Sequence, residues 1–334
     1  MRWVKIGAAV LAVFLIAAYA AVQVSFRSWR SIQEARIHGS TDLITLENGQ
    51  LQYALTGEKG PVVLYLHGGL GGADQPLRLD GFRVLTPSRP GYMGTELSVG
   101  RTLPEAASAF AELLDSLDVQ QVAVLGISAG GPSALEFASR YPERVSALVL
   151  VSAITKQRPR PSPERRRFAR WTDVVVGEGF SDWLLIRLVS HSPELVLSHP
   201  ESEYLSAADL ELMQDSPEAL ARMVDLTVQK LSFSKRRFSG FANDRTIYSQ
   251  LGEPDLAIAA PTLVIHGTAD RDVGFDHAES VVRRIGNAEL FPVEGAGHSA
   301  FYLRFDQIRP RLFEFLEEHT GQAAAISENA SLRF

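Results

Sequence analysis

The sequence predicts an α/β fold: a mostly parallel central sheet flanked by helices on both faces, with a helical segment inserted into it. Two observations carry this. Short apolar runs bounded by glycine or proline alternate with stretches of helical period, first over residues 61–151 and again over 262–318, as parallel strands and their crossover helices do. Between them, from Thr155 to about Ala260, no buried parallel strand is evident, although the segment reads as helical. About a hundred residues are too many for a simple crossover, so this stretch is read as a helical cap set into the core.

The elements follow in order. Arg2 and Lys5 precede an uncharged stretch from Ile6 to Val22; only Gln23 interrupts it before Val24 and Ser25, and Arg27 and Arg30 come next. Such a run approaches the about 20 apolar residues that a spanning helix needs. Residues 1–25 are therefore a membrane anchor, with residues 6–24 in lipid, or a signal segment cleaved at Ala18-Tyr19-Ala20, leaving the rest exported. A buried helix is the third reading. The flanking basic residues nearly balance and leave the side of the membrane open. Residues 26–40 read as a polar connection. Leu43–Leu46 and Leu51–Leu55 flank Asn48-Gly49, a hairpin pair. Pro61–Leu66 and Phe82–Leu85 are strands. Thr102 and Glu105 have capping-box spacing for a helix to about Leu117, whose apolar face is Leu103, Ala106, Phe110 and Leu113. Gln121–Leu125 is a strand, Ala129–Arg140 a helix and Val145–Val151 a strand. Candidate cap helices are Pro163–Val175, Phe180–Val189, Ala207–Asp215 and Pro217–Lys230. The strand Thr262–Ile265, a helix near His277–Ile285, the strand Ala288–Phe291 and the helix Phe305–Glu318 complete the chain. The core then comprises residues 40–154 and 261–320, the cap residues 155–260, and residues 321–334 form a flexible tail.

Composition narrows the function. The chain has 334 residues, 46% apolar and 22% charged, and a formal net charge of -6; a general nucleic-acid binder should be basic, so no nucleic-acid partner is expected. There is no cysteine, which excludes a thiolate nucleophile and cysteine metal sites. The eight histidines form no i, i+4 pair on a predicted helix and no HExxH. No metal and no cofactor are expected.

Three signals carry chemistry. Gly126-Ile-Ser-Ala-Gly130 lies directly between an apolar strand and a helix. Small residues let the chain turn sharply there, raising the Ser128 hydroxyl above the sheet edge, while the helix amino end offers backbone N–H groups. His67-Gly-Gly-Leu-Gly-Gly72 follows an earlier strand. Its glycines allow an open backbone whose N–H could join that of Ala129 in an oxyanion hole, with Gly69 as donor and Leu70 as runner-up. It lacks the lysine and hydroxyl residue of a P-loop, and His67 is read as packing beneath the loop. Late in the chain, Thr262-Leu-Val-Ile-His-Gly-Thr-Ala-Asp270 runs a strand into a carboxylate, and Phe291-Pro-Val-Glu-Gly-Ala-Gly-His298 puts a histidine in a glycine-rich loop. Ser128, Asp270 and His298 thus stand in nucleophile, acid, base order, with Asp272 as a rival acid.

On His67-Gly-Gly, Ser88-Arg-Pro-Gly-Tyr-Met-Gly94, Gly126-Ile-Ser-Ala-Gly-Gly-Pro132, His266-Gly-Thr-Ala-Asp270 and Gly297-His298, residues 50–318 resemble the α/β-hydrolase superfamily, and within it the capped subgroup that includes proline iminopeptidases, esterases and lactonases. The resemblance implies the α/β-hydrolase fold. It implies Ser128 as nucleophile, Asp270 and His298 as acid and base, and Gly69 and Ala129 as oxyanion donors. Iminopeptidases of the group usually carry a proline and a tryptophan where this chain has Leu70 and Ala129.

The expected function is a serine hydrolase working through an acyl-enzyme on a small-molecule acyl substrate, with carboxylic ester hydrolysis foremost. An aminopeptidase or amidase is the alternative; it needs a cap carboxylate for the substrate amine, with Glu194, Glu201, Glu203 and Asp209 as candidates. A cofactor-free lyase, perhydrolase or C–C hydrolase, and a silent binding protein on the same fold, are the others. Phe180, Trp183–Ile186, Phe233, Phe238 and Phe241 line an acyl pocket or form the cap's own core. The basic run Lys156–Arg170 is a solvated surface or a lipid-facing edge. Asn329-Ala330-Ser331 matches a glycosylation acceptor.

Overall fold

The computed structural model describes residues 2–158, 179–193, 204–252 and 257–321. Eight strands form one sheet: β1 (Asp42–Leu46), β2 (Gly49–Thr56), β3 (Val62–Leu66), β4 (Arg83–Pro87), β5 (Val122–Ile127), β6 (Val145–Val151), β7 (Thr262–Gly267) and β8 (Ala288–Val293), in the order β1-β2-β4-β3-β5-β6-β7-β8. The β1–β2 and β2–β4 pairs are antiparallel and all others parallel. The fold is the predicted α/β-hydrolase fold.

Strand chemistry explains the layering. Side chains alternate across a strand, so Val63, Tyr65, Leu125, Val149 and Val151 pack one face with Ile308, Leu312 and Phe315 of α10 (Phe305–Thr320). Leu64, Leu66, Val124, Leu148 and Leu150 pack the other. There they meet Phe110 and Leu113 of α2 (Leu103–Ser116), Phe137 of α3 (Gly131–Arg140) and Val281 of α8 (Asp276–Arg284). Because both faces are covered, β3 and β5 are buried along their whole length. The Thr102–Glu105 capping box of α2 forms as expected. A short helix α9 (Ala300–Leu303) precedes α10.

Between β6 and β7 lie α4 (Phe180–His191), α5 (Ala207–Asp215), α6 (Pro217–Leu231) and α7 (Ser234–Tyr248). The first three match their predicted positions; α7 was not singled out. The predicted helix Pro163–Val175 and the tail beyond Gly321 lie outside the described residues.

The start of the chain corrects the reading of residues 26–40 as a polar connection. A single helix, α1, runs from Arg2 to Ser40. Phe26 and Ile37 are buried on it at 4% and 3% exposure, so this segment continues the apolar helix as a one-sided packing surface. Its first part is long and apolar enough to cross a membrane and is almost wholly exposed.

Candidate active site

Ser128 sits at the sharp turn between β5 and α3. Its φ is 51°, a left-handed conformation that costs a non-glycine residue about 1–3 kcal/mol and persists only where surroundings impose it. The glycines on either side permit the turn: a side chain on Gly130 would come within 2.1 Å of the Leu66 carbonyl oxygen, and one on Gly126 within 2.6 Å of Ala134 Cβ. The Ile154 N–H donates to the Ser128 carbonyl at 3.0 Å and fastens the turn to the end of β6.

The late loops deliver the other two groups. His298 Nε2 lies 2.9 Å from Ser128 Oγ, and its Nδ1 lies 2.8 Å from Asp270 Oδ2. An ionised carboxylate only accepts, so Nδ1 carries the proton and Nε2 faces the serine hydroxyl as an acceptor. Asp270 Oδ1 accepts from the Asp272 and Val273 N–H groups at 3.0 and 2.9 Å. Burial alone would raise the Asp270 carboxyl, but hydrogen bonds from His266 and His298, and that from Val273, hold it well below the usual carboxylate range. Asp272 lies elsewhere on the ring: its Oδ2 is 3.5 Å from His298 Nε2, and Arg158 engages the carboxylate.

The glycine loop after β3 stands beside the serine. A side chain on Gly68 would meet Ser128 Cβ at 3.4 Å, and one on Gly69 would meet the Phe241 ring at 3.4 Å and Ala129 Cβ at 3.9 Å. His67 sets this backbone. The Arg89 N–H donates to His67 Nε2 at 2.9 Å, so the proton sits on Nδ1 and is donated to the Gly68 carbonyl at 2.8 Å. Burial, aided by the Arg89 guanidinium, pushes the His67 imidazole well below its usual range and keeps it neutral. Because the peptide is planar and trans, fixing the Gly68 C=O toward His67 turns the Gly69 N–H the opposite way. Gly71 N–H also bonds to the Gly68 carbonyl, and Leu70 takes a φ of 58° in the turn between them.

Helix α7 closes the site from above, through groups that sequence reasoning missed. Arg89 donates to Asp244 at 2.8 and 2.7 Å, and Tyr92 Oη donates to the same carboxylate at 2.5 Å. In the opposite sense, Arg237 of α7 donates to Asp74 at 3.1 and 2.5 Å. Both pairs are buried. Tyr248 Oη donates to the Ala129 carbonyl at 3.0 Å. Arg89 and Tyr92 belong to the Ser88–Gly94 stretch that carried the family resemblance, so a signal existed for one side of this joint.

Of the named cap aromatics, Phe241 reaches the glycine loop, whereas Phe180 and Trp183 pack on each other at 5.3 Å and Phe238 is 47% exposed. Asp209 is wholly buried and engaged: it accepts from the Ser206 and Gly297 N–H groups at 3.1 and 2.7 Å and pairs with Arg304 at 3.4 Å. It is therefore not available to a substrate amine. Glu194, Glu201 and Glu203 lie outside the described residues. Tyr204 packs on His298 at 5.6 Å, and the Lys230 ammonium of α6 lies 5.9 Å from the Tyr204 ring. No group of three or more His, Asp or Glu able to hold a metal occurs among the described residues.

Residues 61–305 match the α/β hydrolase fold family, and the chain belongs to that family. It is 30% identical to an uncharacterised hydrolase, YcgS, of Bacillus subtilis, over 77% of this chain and 91% of that protein. It is 26% identical to a 2-hydroxy-6-oxononadienedioate/2-hydroxy-6-oxononatrienedioate hydrolase of Cupriavidus pinatubonensis, over 86% of this chain and 98% of the relative. Among solved structures, an α/β hydrolase fold protein from Nakamurella multipartita superposes with a TM-score of 0.69 at 29% identity, covering 83% of this chain and 99% of the other.

Proposed function

We propose that this hydrolase is a serine carboxylesterase that works through an acyl-enzyme on Ser128. The single observation that carries the reading is the continuous relay from Ser128 Oγ through His298 to Asp270 at 2.9 and 2.8 Å. In this mechanism His298 takes the serine proton as Oγ attacks the acyl carbon. The Gly69 and Ala129 N–H groups hold the tetrahedral oxyanion. His298 then protonates the leaving alkoxide, and water repeats the cycle on the acyl-enzyme. Each oxyanion donor in such a site contributes roughly 2.7–4 kcal/mol to the transition state. The helices between β6 and β7 act as the cap, with Phe241 beside the acyl group. Residues 6–24 of α1 anchor the enzyme in a membrane.

A fluorophosphonate tests the nucleophile. Wild-type protein should gain one adduct in intact-mass measurement, mapping to Ser128, and Ser128→Ala none. Equal labelling of the variant would sink the assignment.

A second reading has its own support: hydrolysis of a carbon–carbon bond in an acidic dienoate, the class named for the Cupriavidus relative. The Lys230 ammonium lies 5.9 Å from the ring of Tyr204, which packs on His298, and offers a positive charge to a substrate carboxylate; the Arg158 guanidinium is already paired with Asp272. The comparison is kcat/KM across neutral alkyl esters, acidic dienoates and prolyl amides. Neutral esters should lead. A lead for acidic dienoates that disappears in Lys230→Met would establish the second reading, and a lead for prolyl amides the peptidase alternative.

A further inference from the structure

Helix α1 changes character along its length. In its first part Val10, Val13, Phe14, Ile16 and Val24 are 65–69% exposed. Beyond that the helix is packed against the segment inserted between β6 and β7. The Phe26 ring lies 5.6 Å from Phe180 and 6.1 Å from Trp183, both on α4. Trp29 stacks on Phe233 at 6.3 Å, and Glu34 pairs with Arg236 at 3.1 Å at the start of α7.

This joint fixes the height of α4. Phe26 is two residues past Val24, the last apolar residue of the exposed run, which at about 1.5 Å per residue is about 3 Å along the axis. A helix packed on Phe26 therefore lies at the edge of whatever apolar medium surrounds residues 6–24. Its outward face suits that edge. Leu184, Leu185 and Leu188 are 52%, 38% and 46% exposed, while Trp183, Ile186 and Val189 turn inward. Arg187, whose guanidinium lies 5.7 Å from the Trp183 ring, stands among the leucines, as basic residues do on helices that lie in a lipid interface. Helix α7 then leads from this joint to the reacting groups: Phe241, against Gly69, is five residues or about 7.5 Å along the helix from Arg236.

We propose that the Leu184–Leu185–Leu188 face of α4 docks on the bilayer that α1 spans, setting the mouth of the site at the lipid surface to take esters of bilayer-resident acyl chains. The docking rests on reading α1 as a span, and the ester substrate on the serine-hydrolase reading.

The chain has no cysteine, so single cysteines can be placed without background. Full-length protein in phosphatidylcholine–phosphatidylglycerol vesicles would carry an environment-sensitive fluorophore at Leu188→Cys, at Phe14→Cys within the span, or at Ser116→Cys on the exposed end of α2. The labels at 188 and 14 should shift to the blue and be quenched by nitroxide-bearing lipid, and the label at 116 should do neither. Quenching at 14 with a water-like signal at 188 would overturn the docking and leave the anchor standing. A water-like signal at both would overturn the docking together with the anchor. Shielding at 188 without lipid quenching, accompanied by disulfide-linked dimers of Leu188→Cys on oxidation, would assign the face to a second copy of this chain and overturn the proposal. In kinetics, Leu184→Asp/Leu188→Asp should lose about tenfold in turnover of a vesicle-borne long-chain ester and keep its rate on a soluble short-chain ester. Equal loss on both would overturn the docking, whereas loss of both activities in wild type would instead refute the esterase reading.

Discussion

Removing the Asp209 carboxylate should displace His298, the proposed base, from a distance. Asp209 belongs to the inserted segment, yet it accepts the N–H of Gly297, the residue before His298, at 2.7 Å and that of Ser206 at 3.1 Å. It is 0% exposed, so Asp209→Ala strands two buried N–H groups. Hydrogen bonds to a charged acceptor contribute roughly 1.5–3 kcal/mol each. The contact with Arg304 is long at 3.4 Å, and Arg304 keeps its 3.1 Å bond to the Ala208 carbonyl. With partial relaxation, the expected destabilisation is about 3–4 kcal/mol, or about 4–6 °C in Tm for a chain of 334 residues. The Gly297 N–H is the tether that sets where the next residue's imidazole lies, and a displacement of about 1 Å at a reacting group can cost about 100-fold in rate. Thermal melts and kcat on a soluble ester, measured well below the melting temperature, test both parts. Asp209→Asn, which keeps one acceptor, should fall between. A melting temperature within 1 °C or so of wild type, together with unchanged kcat, would refute the reasoning.

Two further outcomes are expected. Asp270→Asn should keep the fold and lose most of kcat because the imidazole loses its orienting acceptor, while Asp272→Asn, which disturbs a carboxylate on the other side of the ring, should lose far less; purified-enzyme kinetics decide, and a reversed order would move the acid to Asp272. Stability should fall on acidification from the ordinary histidine range down to about pH 4 because of His277, whose pKa burial lowers to about 4 against the opposing pull of Asp276. Over that interval the unfolded chain binds a proton that the folded chain refuses, so the contribution is full above about pH 6.5, shrinks by up to about 3 kcal/mol as pH drops to 4, and is level below. Urea melts across the interval should show this slope together with that of buried, neutral His67, and His277→Asn should reduce it; an equal slope in the variant would remove His277 as a source.

The core was legible because buried parallel strands are written as unbroken apolar runs, and Val145–Val151 emerged with its boundaries unchanged. The three candidate site segments were legible because each proposed reacting residue follows a strand closely. Helix α7 was not, for a physical reason. Its inward-facing groups include Arg237 and Asp244, each neutralised by a partner more than 150 residues away in sequence, and a buried charge counts as polar in any hydrophobic period. Asp209 looked like a free cap carboxylate, although Ser206-Ala-Ala-Asp209 has capping-box spacing and the box forms. Residues 26–40 carry too few apolar groups to announce a helix. Phe26 and Trp29 are spaced for one face, but the aromatic partners that bury that face lie in α4 and at the start of α7.

The two crossed arginine–aspartate pairs bear on how such a chain can be recombined. Arg237 reaches from α7 to Asp74, and Arg89 reaches from the core to Asp244. A buried pair contributes little against an apolar replacement of both members, but breaking one by removing a single partner costs about 3–5 kcal/mol. Exchanging the segment between β6 and β7 with that of a relative lacking these partners would leave the Arg89 guanidinium and the Asp74 carboxylate uncompensated beside the glycine loop unless Asp74, Arg89 and Tyr92 travelled with it. The viable unit of exchange is therefore discontinuous: the segment from Ser234 to Tyr248 is inherited with the loops after β3 and β4, whereas α4 to α6 can diverge without them.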